Sequence, residues 1–130
     1  ETLGVTCIMY PKDRNVQLTS GVIKASSGAI HHVDLVKVTN IAQAITELKK
    51  TGYWVYGTGE SKPQPLNTFT PATPFILVVG NEHKGMSKRL EKIVDENIRI
   101  PLKGNVSSLN VSVATGICLY TLIEKINSTK

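Results

Sequence analysis

Residues 75–79 read Phe-Ile-Leu-Val-Val, five apolar side chains in a row between Pro74 and Gly80. A run this short cannot make a stable helix, and without polar alternation it has no face to give to water. It predicts a strand covered on both sides, the kind that occurs in parallel sheets flanked by helices. Parallel neighbours need long crossover connections, so the rest of the chain should alternate short apolar runs with helical stretches. It does. Residues 5–10, 33–38 and 53–56 read as further strands, the first of them buried. Residues 18–26 form a weak, Ser- and Gly-containing helical segment. Residues 41–50 form a clear helix, with Asn40 before it, Ile41, Ala44, Ile45 and Leu48 on one face and Gly52 closing it.

Past this strand, Gly80 and Gly85 bracket a polar turn, Asn81-Glu82-His83-Lys84. Ser87 is placed to cap a short helix over 88–94. Residues 98–100 read as a strand, ended by Pro101, which has no N–H to give to a ladder. After the loop at 103–105, an apolar helix is predicted from about Asn110 to the C-terminus, with Val113, Ile117, Tyr120 and Ile123 along one face. Residues 61–74 hold four of the six prolines and read as a surface loop. The expected fold class is α/β, a mostly parallel sheet with helices on both faces. In such sheets ligands bind outside the carboxyl ends of the strands, which directs attention to the loops after residues 79 and 100.

A chain of 130 residues with 41% hydrophobic composition suits one domain with a real core. No apolar run approaches the roughly 20 residues that span a bilayer, so no membrane partner is expected. The net charge of +5 favours a polyanionic partner, and residues 83–103 hold six Lys or Arg against three acids. That excess lies beside the candidate site, although a solvated helix face has the same composition. Cys7 and Cys118 make no metal pattern and read as two buried small apolar residues of a cytosolic protein. His31, His32 and His83 fit no zinc spacing, so no metal is assigned. Trp54 and the tyrosines are too scattered to form a base-stacking platform. Lys12 and Arg14 suit either phosphate contact or a solvated loop.

GNEHKG (residues 80–85) followed by IPLKGNVSSLNVSVATG (residues 100–116) resembles the second and third signature motifs of the SpoU (TrmH-like) RNA ribose 2′-O-methyltransferases of the SPOUT superfamily. Gly80, Glu82 and Gly85 carry the first match; Ile100, Pro101, Gly104, Ser108, Leu109, Asn110, Ser112 and Ala114 carry the second. PKDR at 11–14, VTN at 38–40 and GTGE at 57–60 look like the branch that methylates a guanosine of 23S ribosomal RNA.

The resemblance implies a C-terminal trefoil knot, S-adenosylmethionine as cofactor, RNA as substrate, a homodimer formed through the C-terminal helix and a cytoplasmic setting. It places the cofactor against Thr58, Gly59, Gly80, Ile100 and Leu109, and the catalytic constellation at Glu82, Ser108 and Asn110. Each has a plain alternative: a tight turn for the glycines, a surface carboxylate for Glu82, helix-start residues for Ser108 and Asn110. The family's proton-handling Arg belongs to an Asn-x-Gly…Arg motif, which residues 1–130 do not contain. With Glu1-Thr2-Leu3-Gly4 reading as the tail of a helix, the expectation is a catalytic domain at 1–130, N-terminally truncated, without the small RNA-binding domain of that branch and inactive alone. A non-catalytic RNA-binding relative and a different α/β nucleotide-binding module stay open as alternatives.

Overall fold

A computed structural model describes residues 1–13, 18–81 and 83–130. Arg14 and Glu82, both singled out above, lie outside the described residues. The chain separates into two compact units, residues 1–44 and 45–130.

In the first unit, β1 (Cys7–Pro11) and β2 (Asp34–Val38) run parallel, in a register that sets Cys7 opposite Asp34 and Pro11 opposite Val38. They are linked through α1 (Ser20–Ala25) and a single 3₁₀ turn at Ala29–His32. The hydroxyl of Thr19 caps α1 by accepting from the Val22 N–H at 3.3 Å. β1 is a strand as expected, yet it is not buried. Ile8 is 49% exposed, and Cys7 is exposed rather than a core residue. The reason is a shortage of cover: β1 has β2 as its sole ladder partner among the described residues, and α1 buries none of its side chains. Asn40 starts α2 (Ile41–Lys50), its side-chain oxygen accepting from the Gln43 N–H at 3.1 Å. At the far end of α2, in the second unit, Gly52 takes φ +98°, a conformation only glycine reaches cheaply.

The second unit holds β3 (Trp54–Gly57), β4 (Gln64–Pro65), β5 (Phe75–Val78), α3 (Lys88–Ile93), β6 (Glu96–Arg99) and α4 (Val111–Thr129). Its sheet has the order β4-β6-β3-β5, and every pairing is parallel. The apolar run at 75–79 is thus an edge of this sheet, paired to β3 from Trp54↔Phe75 to Gly57↔Val78. Asp95 ties the base of the sheet together: its carboxylate accepts from the Val55 N–H at 2.8 Å and pairs with Lys49 of α2 at 2.7 Å.

β6 begins two residues earlier than the apolar run at 98–100 suggests. Glu96 and Asn97 are polar, but they find side-chain or backbone partners in Gln64, Gly59 and Ser61, so a strand can start on them. The proline-rich segment 61–74 is also more than a surface loop. It contains β4, with Pro65 on an edge strand where its missing N–H costs little. Its Leu66 and Phe69 are core residues. They cluster with Tyr56, Ile98, and Cys118 and Leu122 of α4, flanked by Phe75, Leu77 and Ile100. The Phe69 ring meets Tyr56 edge-on at 5.0 Å. Two anchors hold the segment: Lys125 donates to the carbonyls of Asn67 and Phe69, both at 2.8 Å, and the Tyr56 hydroxyl accepts from the Ala72 N–H at 2.7 Å.

α4 buries Cys118 and Leu122, one turn apart. The stripe Val113, Ile117 and Tyr120 stays 38–57% exposed. No helix among the described residues is long and apolar enough to cross a membrane.

Candidate active site

Because β5, β3 and β6 are parallel neighbours, their carboxyl ends share one edge of the sheet. Thr58 and Gly59 leave that edge after β3, Gly80 after β5 and Ile100 after β6. Thr58 is tied to β5 by an N–H bond to the Val78 carbonyl at 3.1 Å. Ile100 turns its side chain into the core cluster, so what it offers at the edge is backbone.

The turn after β5 closes on itself. Asn81 and Gly85 exchange two backbone bonds, at 2.9 and 2.8 Å, and the Asn81 side-chain oxygen accepts from the N–H groups of His83 and Lys84. Gly85 has φ +62°. Gly80 is required for a different reason. A Cβ there would stand 2.7 Å from the Gly85 carbonyl carbon and 2.8 Å from the Met86 nitrogen, both of them backbone atoms.

Met86 is buried, and its methyl reaches the other side of the edge. A Cβ on Gly57 or Gly59 would lie 2.7 or 2.6 Å from it, and 2.9 or 2.7 Å from the side-chain oxygen of Asn97. That oxygen accepts from the Gly59 N–H at 3.2 Å, while the amide nitrogen of Asn97 donates to the Ser61 carbonyl at 3.0 Å. Met86 and Asn97 were not among the residues singled out from sequence. The signal was the pair Gly57 and Gly59: two glycines one residue apart at a strand end leave room that larger side chains must fill.

The loop after β6 is built differently. Residues 101–110 are all exposed, and among the described residues no hydrogen bond runs from the backbone of 101–109 to the rest of the protein. Val106 is 75% exposed, with Leu102 and Leu109 also open. Asn110 caps α4, its side-chain oxygen accepting from the N–H groups of Ser112 at 2.9 Å and Val113 at 3.4 Å. Its amide nitrogen, a donor, makes no hydrogen bond among the described residues. Ser108 is exposed and makes no hydrogen bond among the described residues. The structure thus sets Gly59 and Gly80 against Met86, with Thr58 and Ile100 on the same edge. Ser108, Leu109 and Asn110 stand in the open loop before α4, joined to the others by no described hydrogen bond.

The six basic side chains of residues 83–103 (Lys84, Lys88, Arg89, Lys92, Arg99 and Lys103) are exposed, and none is in an ion pair among the described residues. Two of the three acids in that segment are engaged elsewhere, Asp95 by Lys49 and Glu96 by Gln64. His31, His32 and His83 are exposed, and no cluster of three or more metal-ligating side chains exists among the described residues.

Residues 1–120 match the family model for the SpoU rRNA Methylase family. The chain belongs to that family. Among bacterial relatives, this SpoU chain is 40% identical over 127 residues to YacO of Bacillus subtilis, named as a TrmH-family tRNA/rRNA methyltransferase. The match takes in 98% of this chain and 51% of the relative. A Staphylococcus haemolyticus protein named for the same family is 42% identical over 122 residues, 94% of this chain and 49% of that one. The chain therefore spans about half the length of these relatives. Among solved structures, the A. aeolicus TrmH/SpoU tRNA modifying enzyme superposes with a TM-score of 0.83 at 32% identity, covering 98% of this chain and 65% of that one. AviRb from Streptomyces viridochromogenes, solved in complex with AdoMet, shares the fold with a TM-score of 0.83 at 22% identity, over 98% of this chain and 52% of that one.

Proposed function

We propose that residues 1–130 are the catalytic domain of an RNA ribose 2′-O-methyltransferase that uses S-adenosylmethionine. The observation that carries this reading is the pairing, at one sheet edge, of a rim built on Gly57, Gly59 and Gly80 with a following loop whose backbone N–H and C=O groups make no hydrogen bond to the rest of the protein among the described residues. Unused groups beside exposed apolar side chains are what a nucleoside needs: hydrogen bonds for the rim of the base and apolar cover for its face. Membership of the SpoU family and the AdoMet-bound relative support the choice of nucleoside. In this reading Thr58, Gly59, Gly80, Ile100 and Leu109 hold the cofactor.

The cofactor supplies a methyl group activated by positive sulfur. The chain's task is to hold a ribose 2′-oxygen in line with that methyl carbon as the C–O bond forms and the C–S bond breaks. Asn110, its oxygen fixed by the helix cap, presents its N–H₂ as an oriented donor, and the Ser108 hydroxyl stands two residues before it. Glu82 belongs to the same constellation by motif. The 2′-hydroxyl proton needs an acceptor. The family's Arg for that role has no counterpart in residues 1–130, so the domain alone is proposed to bind cofactor and transfer little methyl.

The RNA is tRNA or rRNA, with a guanosine of 23S rRNA as the finer assignment. The exposed basic residues from Lys84 to Lys103, in no ion pair among the described residues, suit contact with phosphates, and Lys88→Ala should weaken RNA binding with a shallower salt dependence. The exposed stripe Val113, Ile117 and Tyr120 supports a homodimer formed through α4, which sedimentation at micromolar concentration would reveal. A calorimetric titration with S-adenosylhomocysteine, run against ATP and NAD, tests the central assignment. Binding of ATP or NAD in place of S-adenosylhomocysteine would replace it with a different nucleotide module.

A further inference from the structure

The β3–β6 ladder ends at the pair Gly57↔Asn97. Beyond that point β3 becomes the loop that carries Thr58 and Gly59, and no backbone of β6 is paired with it. The side chain of Asn97 takes over. Its oxygen accepts from the Gly59 N–H at 3.2 Å and its nitrogen donates to the Ser61 carbonyl at 3.0 Å, so both ends of one amide continue the ladder by two more bonds. No aliphatic side chain of similar size can do this, and a carboxylate can do half of it, since it accepts but does not donate. Gly57 and Gly59 leave the space the amide occupies; a Cβ on either would come within 3 Å of its oxygen. The ladder itself is made by backbone groups, so the amide's two bonds serve the loop at 59–61 rather than the pairing of β3 with β6.

We infer that Asn97 is a positioning residue for the cofactor site. By holding residues 59–61 from below, it sets the path of the Thr58–Gly59 rim against which the nucleoside would lie. The inference rests on the cofactor assignment above.

The test uses the full-length protein with Asn97→Leu, which keeps the branched shape and removes both bonds, and Asn97→Asp, which keeps the acceptor for Gly59 and loses the donor to Ser61. S-adenosylhomocysteine affinity is read by calorimetry, and steady-state methylation is read with S-adenosylmethionine and RNA varied separately. Losing both bonds frees the rim, and S-adenosylhomocysteine binding should weaken about tenfold in Asn97→Leu, with a smaller loss in Asn97→Asp. The KM for the methyl donor should rise in parallel, while kcat and the KM for RNA stay within about twofold. A purely structural role would lower the active fraction and kcat without moving affinity. If Asn97→Leu does not fold, Asn97→Asp decides. Undiminished S-adenosylhomocysteine affinity in the folded variants overturns the inference and leaves the cofactor assignment standing. Failure of the unaltered protein to bind S-adenosylhomocysteine overturns both.

Discussion

The two loops that border the candidate site satisfy their polar backbone groups in opposite ways. In the turn after β5, Asn81, His83, Lys84 and Gly85 spend their groups on one another, through the Asn81–Gly85 pair and the Asn81 side chain. The loop at 101–109 spends none on the rest of the described chain and stands exposed throughout. Both carry glycines that a family motif singles out, yet the glycines answer to different demands. Gly80 is hemmed in by protein backbone, while a Cβ on Gly104 would meet nothing within 4 Å. One motif builds a wall; the other keeps hydrogen-bonding groups available.

The sharpest way to break this contrast is to put a methyl group on each glycine. Gly80→Ala should cost about 3 kcal/mol, because the clash is with backbone atoms that no rotamer change can move. Thermal unfolding would show it, and an undisturbed melt would mean the turn is looser than its geometry.

Next in size is the frame that both loops stand on. Tyr56→Phe leaves the Ala72 N–H without its partner and should cost about 2 kcal/mol. Burial, with Asp95 and Glu96 adding to it and the Ala72 contact opposing it, raises the Tyr56 phenol above its usual 10.0. Burial likewise raises the Cys118 thiol above 9.0. For both groups the neutral form is favoured by folding. Their stabilising effect is therefore fully present below those ordinary values and is lost as pH climbs through the raised ones. Melts between pH 8 and 11 should show this decline, and Tyr56→Phe should flatten its upper part.

Asn110→Ala comes third, at about 1 kcal/mol for the lost helix cap. In the full-length protein turnover should fall far more than that loss of stability explains, with circular dichroism unchanged. If activity tracks stability alone, Asn110 is a cap and nothing more. The smallest effect belongs to Gly104→Ala, within about 0.5 kcal/mol of the unaltered protein, since the added carbon sits in open space. A loss as large as that of Gly80→Ala would erase the distinction between the two loops.

Sequence made one side of this comparison easier to read than the other. The strand at 75–78, the Ser87 and Asn110 caps and the Gly52 stop are local chemistry, and they stand where residue type and spacing put them. The two motifs located the edge of the sheet. What the chain order concealed was anything settled by contact across it. Leu66 and Phe69 sit among prolines and look like loop residues until Tyr56 and Lys125 are brought against them. Glu96 and Asn97 look too polar to begin a strand until Gln64, Gly59 and Ser61 arrive from some 30 to 40 residues away. Cys7 failed in the other direction: an apolar run promised burial, and the described residues supply no cover for it.

The strand order β4-β6-β3-β5 has a consequence for how the protein reaches this state. β3 and β4 follow each other in sequence, yet β6, made some thirty residues later, lies between them. The sheet cannot grow by adding each new strand to the last. A chain emerging from the ribosome must hold β3 and β4 apart, or separate them again, until β6 enters the gap. Pairings between such distant segments have to overcome loop-closure entropy before they return any stabilisation, so assembly of residues 45–130 is expected to be slow and to wait on β6.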